Sequence, residues 1–257
     1  MKTGRRSASM PVPSRPVTAL AVMFCLLASP LSATDRLHLV TEAYPPFNYE
    51  EGGTLKGVAV DLLKAVMQDA GIDYDMRLQP WARAYGLAVN TPGYCVFSTV
   101  HNQERDRLFE WVEPLFTSES YLVRTQSSHV TATSLDEAKS YLVGTQLGDY
   151  TVDVLKAHGF TRLDLASEID LTVKKLLAGR IDLMPMAAPM IIDMKKRGIV
   201  VEPVAVLVSN VNGLACNKNV DPDLLARMRA SLNRMIADGT RTAIFERYSF
   251  AEGGLNR

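Results

Sequence analysis

One arginine concentrates most of the chemistry that the sequence offers. Arg105 closes a polar turn, His101-Asn102-Gln103-Glu104-Arg105, that follows the apolar run Gly93 to Val100. A guanidinium presents a planar fork of donors matched to a carboxylate, and backbone N–H groups of a turn add to it. Ser98 and Thr99 bring hydroxyls to the end of the same run, with Val100 beside them. The alternative is a surface arginine paired with Glu104 or Asp106, and the stretch alone supports both readings equally. Glu42-Ala43-Tyr44-Pro45-Pro46-Phe47 joins a carboxyl to two aromatic rings, and Trp81 and Arg83 open a helix-like segment. Phe47 and Trp81 serve as core residues or as cleft walls, and Tyr44 divides evenly between the two. Gly148-Asp149-Tyr150 is a glycine turn entering a helical stretch, where free N–H groups hold an anion. No nucleophile–base pair or phosphate loop stands out, so no catalytic residue and no cofactor are expected. The histidines at 38, 101, 129 and 158 are scattered, and the cysteine spacing fits no zinc pattern, so no metal is expected.

These groups need elements to position them. Leu37 to Thr41 and Tyr74 to Leu78 read as strands, and Val58 to Ala70 as a helix with Leu62, Leu63, Val66 and Met67 on one face and Gly71 as its stop. Pro80 opens a helix reaching Val89. The run with Tyr94, Val96, Phe97 and Val100 is a buried strand. Open α/β sheets take ligands just beyond the carboxyl ends of their strands, which is where Arg105 would lie. Leu115 to Arg124 is extended. A second block repeats the alternation: a capping box at Ser134 and Glu137, a strand Tyr141 to Gly144, a helix to His158, a strand Thr161 to Leu165, a helix Ser167 to Ala178 and a strand Ile181 to Met186. Ile199 to Val208 and Val211 to Asn217 are two extended runs, and Asp221-Pro222 starts a helix that ends at Gly239, before a last helix to Tyr248. The pattern predicts two βαβ-rich halves joined by crossings near 119–125 and 208–213, a hinge with a cleft between.

Composition limits the partners. Residues 1–33 combine Lys2, Arg5, Arg6 and Arg15 with the apolar run Val17 to Ser29, and Leu31-Ser32-Ala33 offers a small residue to cleave after, a pattern that predicts an export signal cleaved near Ala33. The apolar run is too short to span a bilayer comfortably, for which about 20 residues are needed. Cleavage leaves 224 of the 257 residues. The leader takes four of the 28 basic residues and none of the 28 acidic ones, so the remainder is mildly acidic and offers no clustered basic face for nucleic acid. Cys95 and Cys216 remain, able in an oxidising compartment to form one disulfide or to act as small buried apolar residues.

In order and content the chain resembles the family 3 extracellular solute-binding proteins, the periplasmic receptors of polar amino-acid ABC importers. The resemblance covers essentially the whole chain after the leader. It rests on Glu42 to Phe47, Leu55-Lys56-Gly57-Val58-Ala59-Val60-Asp61-Leu62, Ser98 to Arg105, Leu177-Ala178-Gly179-Arg180-Ile181-Asp182-Leu183, and Ala237-Asp238-Gly239-Thr240 to Tyr248. It implies an α/β two-lobed flytrap, each lobe a mixed, mostly parallel sheet flanked by helices. Lobe one would span 34–122 plus 213–257, and lobe two 126–208. By resemblance Arg105 binds a ligand carboxylate with hydroxyls and backbone amides nearby, Tyr44 and Phe47 form the aromatic wall, and Gly148 to Tyr150 the second-lobe anion turn. Asp61 and Asp182 match the pattern as structural residues. The topology implied makes the strands of Cys95 and Cys216 neighbours, which makes a disulfide between them feasible. The partners implied are a small carboxylate-bearing ligand and an inner-membrane permease, with a monomeric periplasmic receptor between them.

Two positions depart from the pattern. Val100 stands where such receptors usually place a serine or threonine. Ala187 stands where they place the aspartate that receives the ligand's ammonium, so Glu42 or another carboxylate takes that role or the ligand is not an ordinary α-amino acid. Arg83 and His101 beside Arg105 would suit a ligand with extra negative charge. Two other functions fit the same scaffold: a sensor feeding a separate signalling partner, and an enzyme like the cyclohexadienyl dehydratases, with Glu42 or Glu104 as its acid.

Overall fold

The computed structural model describes residues 36–250 and 252–255, together with positions 1, 3, 4 and 10. The predicted export signal therefore lies, those four positions apart, outside the described residues. From residue 36 onward the elements alternate as the periodicity requires. β1 (Leu37–Thr41), the hairpin β2 (Tyr49–Glu51) and β3 (Thr54–Lys56), α1 (Val58–Ala70), β4 (Tyr74–Leu78), α2 (Trp81–Asn90), β5 (Tyr94–Val100), the short α3 (Gln103–Asp106) and β6 (Phe109–Thr125) come first. α4 (Leu135–Ala138), β7 (Val143–Gln146), α5 (Tyr150–Ala157), β8 (Leu163–Ala166), α6 (Ile169–Leu177), β9 (Met184–Ala187) and α7 (Ala188–Lys196) follow. β10 (Val201–Asn217), α8 (Pro222–Ala237) and α9 (Thr240–Arg247) complete the chain.

Six strands form one sheet in the order β4-β1-β5-β10-β6-β9. β4 and β5 flank β1 in parallel, as crossover helices on the sheet require, whereas β10 runs antiparallel to both β5 and β6, and β9 antiparallel to β6. β7 and β8 pair in parallel beside it, and a bridge between Val143 and Leu183 ties them to the approach to β9. This is the mixed α/β, two-lobed fold that the resemblance implies. The extended runs come out longer than read from sequence. Leu115 to Arg124 is part of a 17-residue strand, and the two runs 199–208 and 211–217 fuse into another of 17 residues. These two strands pair with each other along most of their length, so the crossings are halves of one ladder. Its register shifts at Pro203/Ala205, Val206/Val208 and Asn212/Leu214 absorb the prolines and bend the strands, which is why each run reads as interrupted. The predicted strands near 141, 161 and 181 start two or three residues later, at Val143, Leu163 and Met184, and α7, flanked by Pro185 and started by Pro189, was not anticipated. The capping box holds only in part: Ser134 Oγ accepts from Glu137 N, but Glu137 Oε2 takes the Thr133 N–H at 2.8 Å, one residue before the cap.

Packing separates the two lobes. One cluster gathers Leu39, Phe47, Leu62, Val66, Phe97, Leu214, Met228, Leu232 and Phe245 under α1, α8 and α9. Cys95 and Cys216 belong to it, fully buried on adjacent strands and joined by a disulfide with S–S 2.08 Å. Two further clusters lie on opposite faces of β6: Tyr121 and Val123 pack with Met184, Met186, Ile191 and Met194, while Leu122 packs with Val143, Leu155, Phe160 and Leu183. The period-two alternation of a strand produces that division. The two aspartates read as structural make structural bonds, Asp61 accepting from Tyr248 Oη at 2.8 Å and Asp182 from Leu142 N at 2.8 Å. Gly57 explains how the loop after β1 is held. At φ 128° it lies so close to Phe47 that an added Cβ would meet the Phe47 carbonyl oxygen at 2.2 Å. That approach lets Ala59 N reach Phe47 O at 3.0 Å and fixes the aromatic loop on the start of α1.

Among the described residues no helix is long and apolar enough to cross a membrane. None of their His, Cys, Asp and Glu side chains form a group of three or more that could hold a metal ion.

Candidate functional site

The carboxyl ends of β1 and β5 and the start of α2 face β7, β9 and α5 across a cavity of about 60 Å3. Arg105 enters it from α3. Asn102 caps that turn, its Oδ1 accepting from Arg105 N at 2.9 Å, and the side chain turns inward until the residue is only 5 % exposed. Its guanidinium carbon lies 5.5 Å from the Trp81 ring centroid and 5.2 Å from that of Tyr85. Nη1 donates to the Val100 carbonyl at 3.1 Å. Among the described residues no carboxylate forms an ion pair with it; Asp106 bonds His101 Nε2 instead, and Glu104 and Asp106 are both exposed. The surface-pair reading of Arg105 is therefore corrected. A buried cation with two aromatic neighbours and most of its donors free has the chemistry to receive an anion.

Ser98 stands beside it for a backbone reason. β10 pairs Gly213 with Thr99 and Leu214 with Phe97, so Ser98 has no cross-strand partner and sits at φ 56°. That bulge turns its Oγ to Asn48 Oδ1 at 2.5 Å, while Asn48 Nδ2 donates to the Glu42 carbonyl at 2.5 Å. Ser98, Val100, Glu42, Tyr44, Phe47, Trp81, Asp149, Tyr150 and Ala187 all line the cavity. Three expected residues do not. Thr99 is fully buried and bonds back to Val96 O at 3.2 Å, because its strand partner pulls it away from the bulge. Arg83 is exposed on the outer face of α2, between Trp81 and Ala84, which are buried on the inner one. Gly148 contributes through its backbone, its carbonyl accepting from Trp81 Nε1 at 3.1 Å. His101 also stays out. It stacks on Trp111 at 4.3 Å and holds Glu113 and Asp106; burial opposes its charge, but those two hydrogen bonds prevail and raise its pKa.

The opposite wall supplies hydroxyls and amides that sequence reasoning missed. Tyr150 Oη lies 2.9 Å from Ser120 Oγ and accepts from Asn210 Nδ2 at 2.7 Å, and Asn212 Nδ2 donates to Ser118 Oγ at 3.3 Å. All four partners come from β6 and β10, and their alternation at 118, 120, 210 and 212 is the signal that could have found them. Gln146, 2 % exposed at the end of β7, donates through Nε2 to Glu42 Oε2 at 2.7 Å. Burial pushes Glu42 up to about 8, against the pull of that hydrogen bond, with Asp149 and Glu168 adding like charge. Asp149 is raised too, by burial, although Thr151 and Arg105 oppose the shift. Ala187 offers no carboxyl, and its N–H approaches Tyr44 Oη at 3.4 Å. The cleft thus holds one guanidinium, two carboxyls and a rim of hydroxyls: an arrangement that binds and shields a small polar molecule.

Residues 37–252 match the bacterial extracellular solute-binding proteins, family 3. Among curated proteins none matches the chain. Among solved structures it is similar to an ancestral arginine-binding protein bound to glutamine, with a TM-score of 0.74, 24 % identity, and 83 % of this chain and 97 % of that one covered. It is similar to a histidine kinase sensor domain resembling periplasmic binding proteins, with a TM-score of 0.75, 20 % identity and coverages of 83 % and 95 %. An ancestral amino acid-binding protein described as a precursor of cyclohexadienyl dehydratase is also similar, with a TM-score of 0.73, 21 % identity and coverages of 83 % and 95 %. At such identities the likeness is one of fold.

Proposed function

The chain belongs to the bacterial extracellular solute-binding proteins of family 3, and from that premise we propose that it captures a small carboxylate-bearing solute, an amino acid or a related organic acid, for an ABC importer. The solute enters between a lobe of residues 34–122 plus 213–257 and a lobe of residues 126–208. Closure hides it from water, and the closed monomer presents both lobes to an inner-membrane permease. The protein does this in the periplasm, after cleavage near Ala33, and without catalysis. One observation carries the reading: the buried guanidinium of Arg105, set against the adjoining rings of Trp81 and Tyr85 and in no ion pair with a carboxylate among the described residues. A thermal-shift screen over amino acids and small carboxylates, with hits followed by calorimetry, tests it. A ligand that binds only the folded form raises the melting temperature by mass action. Stabilisation by a carboxylate-bearing solute is expected; stabilisation by polyamines or sugars alone would overturn the proposal.

One observation favours a second reading, a dehydratase of the cyclohexadienyl type. Glu42, raised to about 8, stays protonated at neutral pH inside the cleft, as an acid promoting loss of water and carbon dioxide would have to. Glu104, the other nominated acid, is exposed on α3 and drops out. Incubation with prephenate decides between the two, since only the enzyme converts it.

A further inference from the structure

The large sheet narrows where the two lobes meet. β5 pairs with β10 over 212–216, and β9 pairs with β6 over 120–123. Between those stretches Thr117 to Glu119 of β6 face Ser209 to Val211 of β10, and neither β5 nor β9 reaches them. A ribbon two strands wide is marginally stable and twists readily. On the β10 side the chain just past β5 adds one bond, His101 N to the Val211 carbonyl at 3.0 Å. The β6 side of this neck matters to the cleft, because Ser118 and Ser120 line it.

Residues 252–255 run along that side. Glu252 Oε1 accepts from Thr117 N at 2.9 Å, Gly253 N donates to the Thr117 carbonyl at 3.3 Å, and Glu119 N donates to the Gly253 carbonyl at 3.0 Å, a parallel bridge on the edge of β6 that β10 leaves free. One end of the segment is fixed to the first cluster. Phe250 is buried there against Phe47, Phe116 and Phe245, and Glu252 Oε2 accepts from Arg241 Nη2 at 3.0 Å. The other end is fixed across the neck: Leu255 packs on the cluster of Tyr121, Met184 and Met186, and its N–H donates to Tyr121 Oη at 3.1 Å. The path is tight. Gly253 stands at φ 94°, and a Cβ on Gly254 would fall on Glu119 Oε2 and lie 2.6 Å from Tyr121 Oη, so glycine lets the chain pass from one anchor to the other.

We propose that residues 252–255 form a strap over the hinge that limits how far the lobes part. A swing about the neck that carries Tyr121 away from Thr117 stretches a short segment held by Glu252 on one side and by Leu255 on the other. The strap also makes the neck three strands wide at Thr117 to Glu119, which holds the stretch that carries Ser118 and Ser120 to the cleft. By narrowing the range of open arrangements it leaves less freedom to be lost on closure. The proposal rests on the two-lobed fold and not on the identity of the solute, so it stands or falls separately from the function proposed above.

Small-angle X-ray scattering and amide hydrogen exchange on the ligand-free protein test this with a cut at either end. Glu252→Ala removes the acceptor of Thr117 N and the partner of Arg241, and Gly254→Val forces Leu255 N off Tyr121 Oη. A strap holds only while both ends hold. Each variant should therefore shift the radius of gyration upward from the parent's, and the double variant should shift it no further than the larger single effect. Exchange of the Thr117 amide proton should quicken about tenfold in Glu252→Ala, whereas Glu252→Gln, which keeps an oxygen for that N–H, should stay near the parent in both measurements. Faster exchange at an unchanged radius would make the segment a local cover of the β6 edge and overturn the proposal. Additive widening would overturn it too, since that is what two independent contacts produce. Where Gly254→Val fails to fold, the comparison of Glu252→Ala with Glu252→Gln decides alone: widening in the first and not the second supports the strap, and no widening in either removes it.

Discussion

Replacing Arg105 with methionine separates binding from stability, because the structure asks the guanidinium to do little for the empty protein. Its burial costs several kcal/mol in lost hydration. Against this stand two aromatic faces, each contributing about 0.5–2 kcal/mol, and one charge-assisted hydrogen bond to Val100 O of about 1.5–3 kcal/mol. These terms nearly cancel. Methionine keeps most of the stem and sets a polarisable thioether against the adjoining rings of Trp81 and Tyr85. Arg105→Met should therefore unfold in urea within about 2 kcal/mol of the parent when no ligand is present. Binding should respond differently. Removing one partner of a buried, hydrogen-bonded charge pair costs roughly 2–5 kcal/mol, so the Kd for the tightest carboxylate ligand should rise by about 30-fold or more. The assays are isothermal calorimetry and urea titration on the same preparation. A Kd within tenfold of the parent would refute Arg105 as the ligand's anchor. A stability loss beyond about 4 kcal/mol would instead make the arginine a structural strut.

Three further outcomes follow from the same contacts. Glu42 titrates near 8 in the folded protein and near 4.5 when free, so the folded state holds the extra proton between those values; stability falls as pH rises from about 4.5 to about 8 and levels off above, by a few kcal/mol at most, and urea unfolding of Glu42→Gln should lack that part of the slope. Cys95 and Cys216 are 121 residues apart, a loop whose closure stabilises by up to about 5 kcal/mol in the chain-entropy treatment and more commonly 2–4 kcal/mol, so Cys95→Ala with Cys216→Ala should lower Tm by about 5–15 °C in a calorimetric scan. Trp81→Phe keeps an aromatic face beneath Arg105 but loses the Nε1 bond to Gly148 O; stopped-flow release should quicken about 3- to 10-fold while the Tm of the empty protein moves little.

What the sequence made legible was set by periodicity and punctuation. α1 and α8 carry unbroken apolar stripes between a glycine or proline signal at each end, and both were read to within a residue. β6 and β10 were read as fragments, because Pro114 and Pro203 look like strand breakers until a partner strand with matching register shifts is known. The site divides in the same way. Arg105 is visible from its type and its place after a buried strand. Arg83 misleads because two residues on a helix separate inside from outside: Trp81 faces in and Arg83 out. Thr99 misleads because a bulge at Ser98 shifts the alternation by one, and bulges arise from pairing with a distant strand. Gln146 escaped notice altogether, since an isolated glutamine acquires meaning only from the carboxyl placed opposite it by the fold.

The closed arrangement is held by a short set of contacts across the cleft: Trp81 Nε1 to Gly148 O, Gln146 Nε2 to Glu42 Oε2 and Ala187 N to Tyr44 Oη. Neutral hydrogen bonds of this kind contribute about 0.5–1.5 kcal/mol each, a few kcal/mol together. Closing also buries Arg105 without an anion and leaves Gln146 Oε1 without a donor, and these costs are of the same size. Empty, the two lobes have little net reason to stay shut. On the proposed function a bound carboxylate removes the cost at Arg105, and its preference for the closed form over the open one is that recovered energy. On that reading the hinge needs no special softness, because the β6–β10 ladder joins the lobes while the bound anion decides which arrangement is populated.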